Sequence, residues 1–405
     1  MDNGKTFHVE ADVVVIGSGS AGHMAALSAR WAGADVALVD KGGIYRSGCG
    51  AAGEDHFTAV LEEHDWDTPK VYLQHVYRTT GGLCNMKAVE NGFIKHIKWL
   101  THWLEELGVP MRLDRENNAY IRTAPFDMPG PFQINFDGAS LMPKVAAERK
   151  KAGVKFFPRT AVTDLLVDDG QVVGAVGLEF RTGNLFLFHS KAVVLCTGNV
   201  GRLYDNQSGE PYNLWNCPYN TGLGHRLAFE AGAEMSNMEF IGFTIAPKNF
   251  VSPSRAAFTG MGARIINGTG ERIMFKYHPK GEAAPRWLLC WAVYKENQEG
   301  RGPIYMDVRH LSDKDLSHLV NNLLPVDKKS FKDYLEQKGV NLRTDPLEVE
   351  VTGGEIAAGG VQPTGINVDE TFASTVPGLF GAGGCTTVPS GLPGAMCAGM
   401  GAGES

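Results

Sequence analysis

Asp12-Val13-Val14-Val15-Ile16-Gly17-Ser18-Gly19-Ser20-Ala21-Gly22 is the stretch on which the fold turns. A run of β-branched residues suits a strand buried on both faces, as in a parallel sheet. Glycines follow at once in the spacing GxGxxG, and His23 to Trp31, with Met24, Ala25, Leu27 and Ala29, predicts a helix rich in small residues. A second strand, Asp35-Val36-Ala37-Leu38-Val39, ends in Asp40, eighteen residues beyond Gly22. Strand, glycine turn, helix, strand and acidic residue in that order read as a dinucleotide-binding unit. Gly17 makes the tight turn, Gly19 lets backbone reach a pyrophosphate, and Gly22 allows the helix to pack closely on the strand. Ser18, Ser20 and Ala21 complete a turn whose amides meet the ligand at a helix N-terminus. Asp40, followed by Lys41, is placed to accept hydrogen bonds from ribose hydroxyls.

The fingerprint alone does not separate NAD from FAD. Further along, Lys191-Ala192-Val193-Val194-Leu195-Cys196-Thr197-Gly198 is again a strand running into small residues, and Ser374 to Gly383 repeats that form near the end of the chain. Nucleotide-binding elements therefore bracket the sequence. A separate NAD domain would close its sheet within about 150 residues, so the intervening chain is inserted into one fold, which favours FAD. Between them, Val162 to Val167, Val172 to Leu178 and Leu185 to His189 alternate as strands, joined by turns at Asp168-Asp169-Gly170 and Thr182-Gly183-Asn184. That pattern predicts a small meander.

Composition narrows the function classes. Hydrophobic residues make up 43% and charged residues 20%, an ordinary globular balance, and the net charge of −7 provides no basic footprint for nucleic acid. The longest apolar runs, such as Leu288 to Val293, fall far short of the roughly 18 to 20 residues of a membrane span. No signal-peptide pattern opens the chain, so cytosol is the expected location. Seven dispersed cysteines support neither a disulfide framework nor a metal site, and an iron–sulfur cluster would have to sit on another protein. Trp99 and Trp103, with Ile94, Ile97 and Leu100, follow helical spacing and read as core.

Beyond the fingerprint, the chain resembles the flavoproteins of fumarate reductase and succinate dehydrogenase, a family that includes the alpha chain of adenylylsulfate reductase. Arg46-Ser47-Gly48-Cys49-Gly50-Ala51-Ala52-Gly53 is similar to the family's flavin-contacting loop, in which covalent members carry His where this chain has Gly48. The resemblance thus implies a non-covalent FAD, as in the adenylylsulfate reductase branch, held by Arg46, Ser47, Gly48, Gly50 and Ala51. It adds Ala161, Val162, Cys196, Thr197, Gly198, Gly383 and Gly384 as cofactor contacts, although an acidic residue is usual where Gly384 stands. Cys49 reads as a small buried residue of the loop, with thiol chemistry as the alternative.

In the second part, Gly270-Glu271-Arg272-Ile273, Ala284-Pro285-Arg286 and Gly302 to Leu311 resemble the family's capping domain. The resemblance places Arg286 on the arginine opposite the hydride. It would act there either as a general acid, for which a guanidinium is ill suited, or by stabilising developing negative charge. The grip on a dicarboxylate is missing. Where the family has two histidines this chain has Thr244 and Glu355; the Thr-Glu pair falls near Arg255 and Ala256, and a second arginine falls on Cys397. Glu355 is either a catalytic base or a carboxylate satisfied by its glycine-rich turn, which continues to Gly359 and Gly360. Thr244, Arg255, Gly359 and Gly360 are the candidate substrate contacts. A glutamate in place of a carboxylate-binding histidine sets like charges together, so fumarate and succinate are not expected as substrates.

The fold expected is therefore α/β: a Rossmann-like FAD-binding domain with a parallel central sheet and a small β-meander, plus an inserted α+β capping domain. Its parts are residues 1–235, the cap at 236–350 and a return segment at 351–405. Family members continue beyond this last glycine-rich motif, so a truncated chain with poor flavin retention is expected. The function expected is hydride transfer between FAD and a small polar organic substrate, in partnership with a separate iron–sulfur or other electron-transfer subunit. Sulfur chemistry like that of adenylylsulfate reductase, or the role of a non-catalytic flavoprotein in a larger assembly, are the alternatives.

Overall fold

The computed structural model describes residues 4–43, 45, 47–52, 54, 56–124, 128–203, 216–250, 255–327, 330–356, 363–389 and 391–405. Arg46, Gly359 and Gly360 lie outside the described residues, as do the side chains of Arg255 and Glu355.

The opening run folds as the strand Val13–Ile16 at the centre of a five-stranded sheet. Its neighbours are Val36–Val39 and Ala192–Leu195, flanked in turn by Lys155–Phe157 and Leu379–Gly381, and every pairing is parallel. The last strand thus returns from the far end of the chain to the edge of this sheet, beside Ala192–Leu195. Val14, Val15, Ala37, Leu38, Val193 and Leu195 are buried with 0% exposure, the condition that lets unbroken apolar strands outcompete amphipathic alternation.

The meander is present. Thr160–Asp168, Gln171–Glu179 and Leu185–His189 pair antiparallel, and the N-terminal strand Thr6–Glu10 joins the last of them in parallel. Asp169 and Gly170 take positive φ of 46° and 75° in the tight turn between the first two strands, as a two-residue hairpin requires.

The first helix, Ser20–Trp31, and the last, Leu392–Glu404, pack on one another. Their small residues are the reason. A Cβ on Gly399 would stand 2.2 Å from the Ala21 carbonyl oxygen, and one on Gly403 would stand 2.4 Å from that of Ala25. The two backbones approach through this seam, and Ser28 donates across it to the Met400 carbonyl at 3.0 Å.

A second hydrophobic core, separate from the first, is built from Ile245, Phe258, Leu289, Val293, Met306, Phe331, Val349 and their neighbours. Its sheet is antiparallel, in the order Ile241–Pro247, Leu347–Ile356, Ile304–Asp307, Arg264–Ile266. The helix Arg286–Gln298 buries Leu289, Cys290, Ala292 and Val293.

Trp99 and Trp103 correct the sequence reading. Their helix, Lys95–Glu106, buries Ile97 and Leu100, but Trp99 is 44% exposed and Trp103 half-buried. The two indoles stack at 5.4 Å and meet Trp31 edge-on at the flank of the helix. Helical spacing identified the face correctly; the large rings lie at its border, where aromatic surfaces cover one another rather than enter the core.

Candidate cofactor cleft

A cleft opens where the parallel strands end, lined by Ile16, Val39, Cys196 and Ala382 from four of them. Open α/β sheets bind their ligands at this edge. Gly17, Gly19, Ser20 and Ala21 form its floor, with Asp40 and Lys41 at one side. Ser47, Gly48 and Gly50 face Ala161, Val162, Thr197, Gly198 and Gly384 within it. Most of the cofactor residues expected from sequence are therefore brought together. Ser18, Gly22, Ala51 and Gly383 are not among its lining residues; Gly22 and Gly383 pack under it, since a Cβ on Gly22 would lie 1.7 Å from the Gly17 carbonyl oxygen and one on Gly383 2.9 Å from the Ala21 Cβ.

The three fingerprint glycines divide into two kinds. Gly17 has φ of 104°, and its added Cβ would strike the Cys196 carbonyl oxygen at 2.4 Å, so it and Gly22 are required by the fold itself. Gly19 is different: no atom of the described residues stands within 4 Å of where its Cβ would be, and it lines the open cleft. That vacant side is what a ligand backbone approach needs. The first helix begins immediately after it with no side-chain cap and no acidic residue in its first turn. Uncapped amides at a helix start supply donors and partial positive charge to a phosphate. The residues present thus fit a dinucleotide.

Asp40 is held in place from several directions. The Ser18 amide donates to one carboxylate oxygen and the Gly42 amide to the other, while the Ser47 hydroxyl reaches both. Lys41 donates to the Tyr219 carbonyl at 2.5 Å, tying this loop to the segment that begins the helix Leu223–Glu230.

Asn199 and Asn220 also line the cleft, joined by a 2.7 Å hydrogen bond from the Asn220 side-chain Nδ2 to the Asn199 side-chain Oδ1. Sequence reasoning passed them over; the signal was the position of Asn199 directly after the Thr197-Gly198 turn. Glu54, His56, Leu392 and Ala395 were likewise missed, because no local motif marks residues that only tertiary folding brings to a cleft.

In the second unit, Arg286 opens its helix directly after Pro285. The turn before it is fixed by Glu282, which receives Arg272 at 2.6 Å and 2.9 Å and the Ile265 amide at 3.0 Å. Burial holds the Arg286 guanidinium below its ordinary pKa, opposed by Cys290 one turn along, yet a guanidinium stays protonated in proteins. Thr244 is 3% exposed and sits opposite Thr352 in the adjacent strand, with Glu355 three residues further along that strand, opposite Gly242. Neither Arg286 nor Thr244 is among the described residues that line the cleft. Cys397, where the resemblance places an arginine, is completely buried, and burial raises its thiol well above the ordinary value. It is a neutral packing residue of the last helix.

Fold and cleft define a dinucleotide-binding protein. The family described as FAD binding domain matches residues 12–402, and the chain belongs to it; FAD is its cofactor. The chain is 28% identical over 390 residues to a subunit of the fumarate reductase (CoM/CoB) of Methanothermobacter marburgensis, covering 92% of this chain and 66% of that protein. It is 28% identical over 401 residues to the L-aspartate oxidase of Streptomyces coelicolor, covering 94% and 64%. The adenylylsulfate reductase of Archaeoglobus fulgidus superposes with a TM-score of 0.86 at 24% identity, covering 99% of this chain and 70% of that one, a likeness of fold. This chain therefore spans about two thirds of the length of such relatives. Among the described residues no helix is long and apolar enough to cross a membrane.

Proposed function

We propose that this chain is the flavin-bearing part of an oxidoreductase acting on a small polar organic substrate other than fumarate or succinate. What supports the reading is the dicarboxylate grip that the family resemblance finds missing: on that resemblance Thr244, Glu355 and the buried, neutral Cys397 fall at three of its positions. Dianion recognition needs fixed cationic or N–H donors, and a carboxylate among them opposes it.

FAD, when bound, supplies hydride donation and acceptance. The chain's own residues hold and orient it: the first helix offers uncapped amides, Asp40 offers its carboxylate, and Gly19 leaves room for the pyrophosphate. Gly48 supports non-covalent attachment. It lines the cleft at φ of 70°, 3.5 Å from Gly19 to its added Cβ, and has no side chain through which to bond. Arg286 stabilises negative charge developing on the substrate, the role suited to a cation that does not release its proton. Residues 236–350 act as the cap over the substrate. A separate electron-transfer partner completes the cycle; the relative from Methanothermobacter marburgensis is itself one subunit of its enzyme.

The test begins with acid precipitation of the FAD-loaded protein, which releases all flavin to the supernatant if attachment is non-covalent. Photoreduced protein is then mixed anaerobically with fumarate and, separately, with a panel of small polar enoates, imino acids and keto acids. Expected is reoxidation by a member of the panel and not by fumarate, slowed about 10²- to 10³-fold by Arg286→Met at unchanged flavin content, the scale for losing one charge-stabilising group. Saturable reoxidation by fumarate would overturn the reading. A spectral response to sulfite and AMP would instead favour sulfur chemistry.

A further inference from the structure

Cys49 and Cys217 come from segments 168 residues apart, yet the Cys217 amide donates to the Cys49 sulfur at 3.3 Å. With an N–Cα bond of about 1.46 Å, the Cys217 Cα lies within about 4.8 Å of that sulfur. A disulfide needs an S–S bond of about 2.05 Å and Cα atoms roughly 4.4–6.8 Å apart, a span this approach allows by rotation of the two side chains. The Asn220 side chain points a second N–H group at the Cys49 sulfur, at 3.7 Å. The Cys49 thiol donates in turn to the Asn199 side-chain oxygen at 3.5 Å, and exchange proceeds through its thiolate form. Cys49 is exposed and Cys217 half-buried, whereas Cys196, Cys290, Cys385 and Cys397 are buried in the cores. Cys84 is half-buried elsewhere, beside Thr80 and Met86, and burial raises its thiol above the ordinary value.

The two segments share the cofactor cleft. Cys49 is flanked by Gly48 and Gly50, which line it, and Cys217 leads into Asn220, Thr221 and Gly222, which line it too. Lys41 already ties the first loop to Tyr219 in the second segment.

We propose that Cys49 and Cys217 are a redox pair whose disulfide staples these two segments together at the cofactor cleft and retards release of the dinucleotide. A low-molecular-weight disulfide such as oxidised glutathione is the oxidant. The Cys49 thiolate attacks one of its sulfurs and expels one glutathione thiolate. The Cys217 thiolate then attacks the Cys49 sulfur of the mixed disulfide and expels the second. Two protein thiols lose two electrons and two protons, and one glutathione disulfide becomes two thiols, so the exchange balances. The cleft segments carry the disulfide as a covalent bridge in place of the 3.3 Å contact.

The experiment is a thiol count that does not depend on activity. The fully reduced chain is equilibrated in glutathione buffers of increasing oxidised fraction, quenched in acid and titrated in denaturant. Titratable thiols should fall from seven to five, with a peptide linking residues 49 and 217 in a non-reducing digest. Cys217→Ser should instead leave Cys49 carrying a glutathione adduct in the most oxidising buffers. Seven thiols throughout, a stable adduct on Cys49 of the natural chain, or a link to another cysteine would each overturn the pair. FAD dissociation, followed by the rise of free-flavin fluorescence, should be slower from the oxidised chain than from the reduced one. Equal rates would overturn the retention role, and this readout presumes only that FAD occupies the cleft.

Discussion

The Ser47 hydroxyl donates to both carboxylate oxygens of Asp40, at 2.9 and 3.0 Å, so the acidic residue that ends the fingerprint is fixed before a ribose reaches it. The Ser18 and Gly42 amides act on the same carboxylate from the other side. Asp40→Ala should therefore weaken FAD binding about 10- to 100-fold, since hydrogen bonds to a charged group contribute about 1.5–3 kcal/mol each. Ser47→Ala should weaken it far less, because two backbone donors still orient Asp40. Fluorescence titration of the apoprotein separates the two. Equal losses would show that the two backbone donors do not orient Asp40 without Ser47.

Gly19 and Gly22 differ by what surrounds them, and their alanine variants should fail in different ways. Gly19→Ala meets no atom of the described residues within 4 Å, so the apoprotein should melt as the natural chain does while FAD binding is lost or sharply reduced. Gly22→Ala places its methyl 1.7 Å from the Gly17 carbonyl oxygen and should lower the apoprotein melting temperature by several degrees or prevent folding. Thermal melts without FAD, followed by titration with it, distinguish them. Normal FAD affinity in Gly19→Ala would remove the phosphate approach assigned to that turn.

The dinucleotide unit was legible because every step of it is local: β-branched strand, glycine spacing, helix and acidic residue are adjacent in the chain. The returning strand Leu379–Gly381 was also legible, as a second copy of the same strand-to-glycine pattern. The seam between first and last helices was not, although Gly399 and Gly403 are four apart in plain view. Small residues at helical spacing announce a close approach without naming the partner, and Ala21 and Ala25 lie almost 380 residues away. Asn199 and Asn220 escaped for a related reason. A polar pair assembled by two loops has no period and no motif.

Two histidines make the fold sensitive to acid. His23, on the buried face of the first helix, is pushed down to about 3 by burial and by the Arg149 charge, and burial pushes His225 down to about 4. Both stay neutral in the fold while the unfolded chain takes up protons below about pH 6.5. The unfolded state then binds more protons, so stability falls as pH drops through 6.5 and continues to fall towards 4, by a few kcal/mol for each group. The melting temperature should drop between pH 7.5 and 5, and His23→Leu should flatten that dependence while melting higher than the natural chain at pH 5. An unchanged slope in His23→Leu would place the acid sensitivity elsewhere.

Glu296 tests whether the second core carries its own stability. Its carboxylate has no exposure and receives Arg301 at 2.5 and 2.7 Å, Lys276 at 3.0 Å, the Tyr277 hydroxyl and Asn267 at 3.4 Å. These donors, led by Arg301, hold its pKa far below the usual carboxylate range. The charge therefore contributes stability at neutral pH that is lost only as pH falls below the unfolded value near 4.5. Glu296→Gln removes that charge from a buried network and leaves Arg301 and Lys276, both partly exposed, to be met by water instead. The cost should lie below the 3–5 kcal/mol of a fully buried broken pair, at about 1–3 kcal/mol. Because Glu296 belongs to the core of residues 245–351 and not to the cleft lining, the variant should melt earlier with FAD affinity unchanged. Loss of both together would show that the two cores stabilise one another and that the cofactor cleft depends on the second unit for its shape.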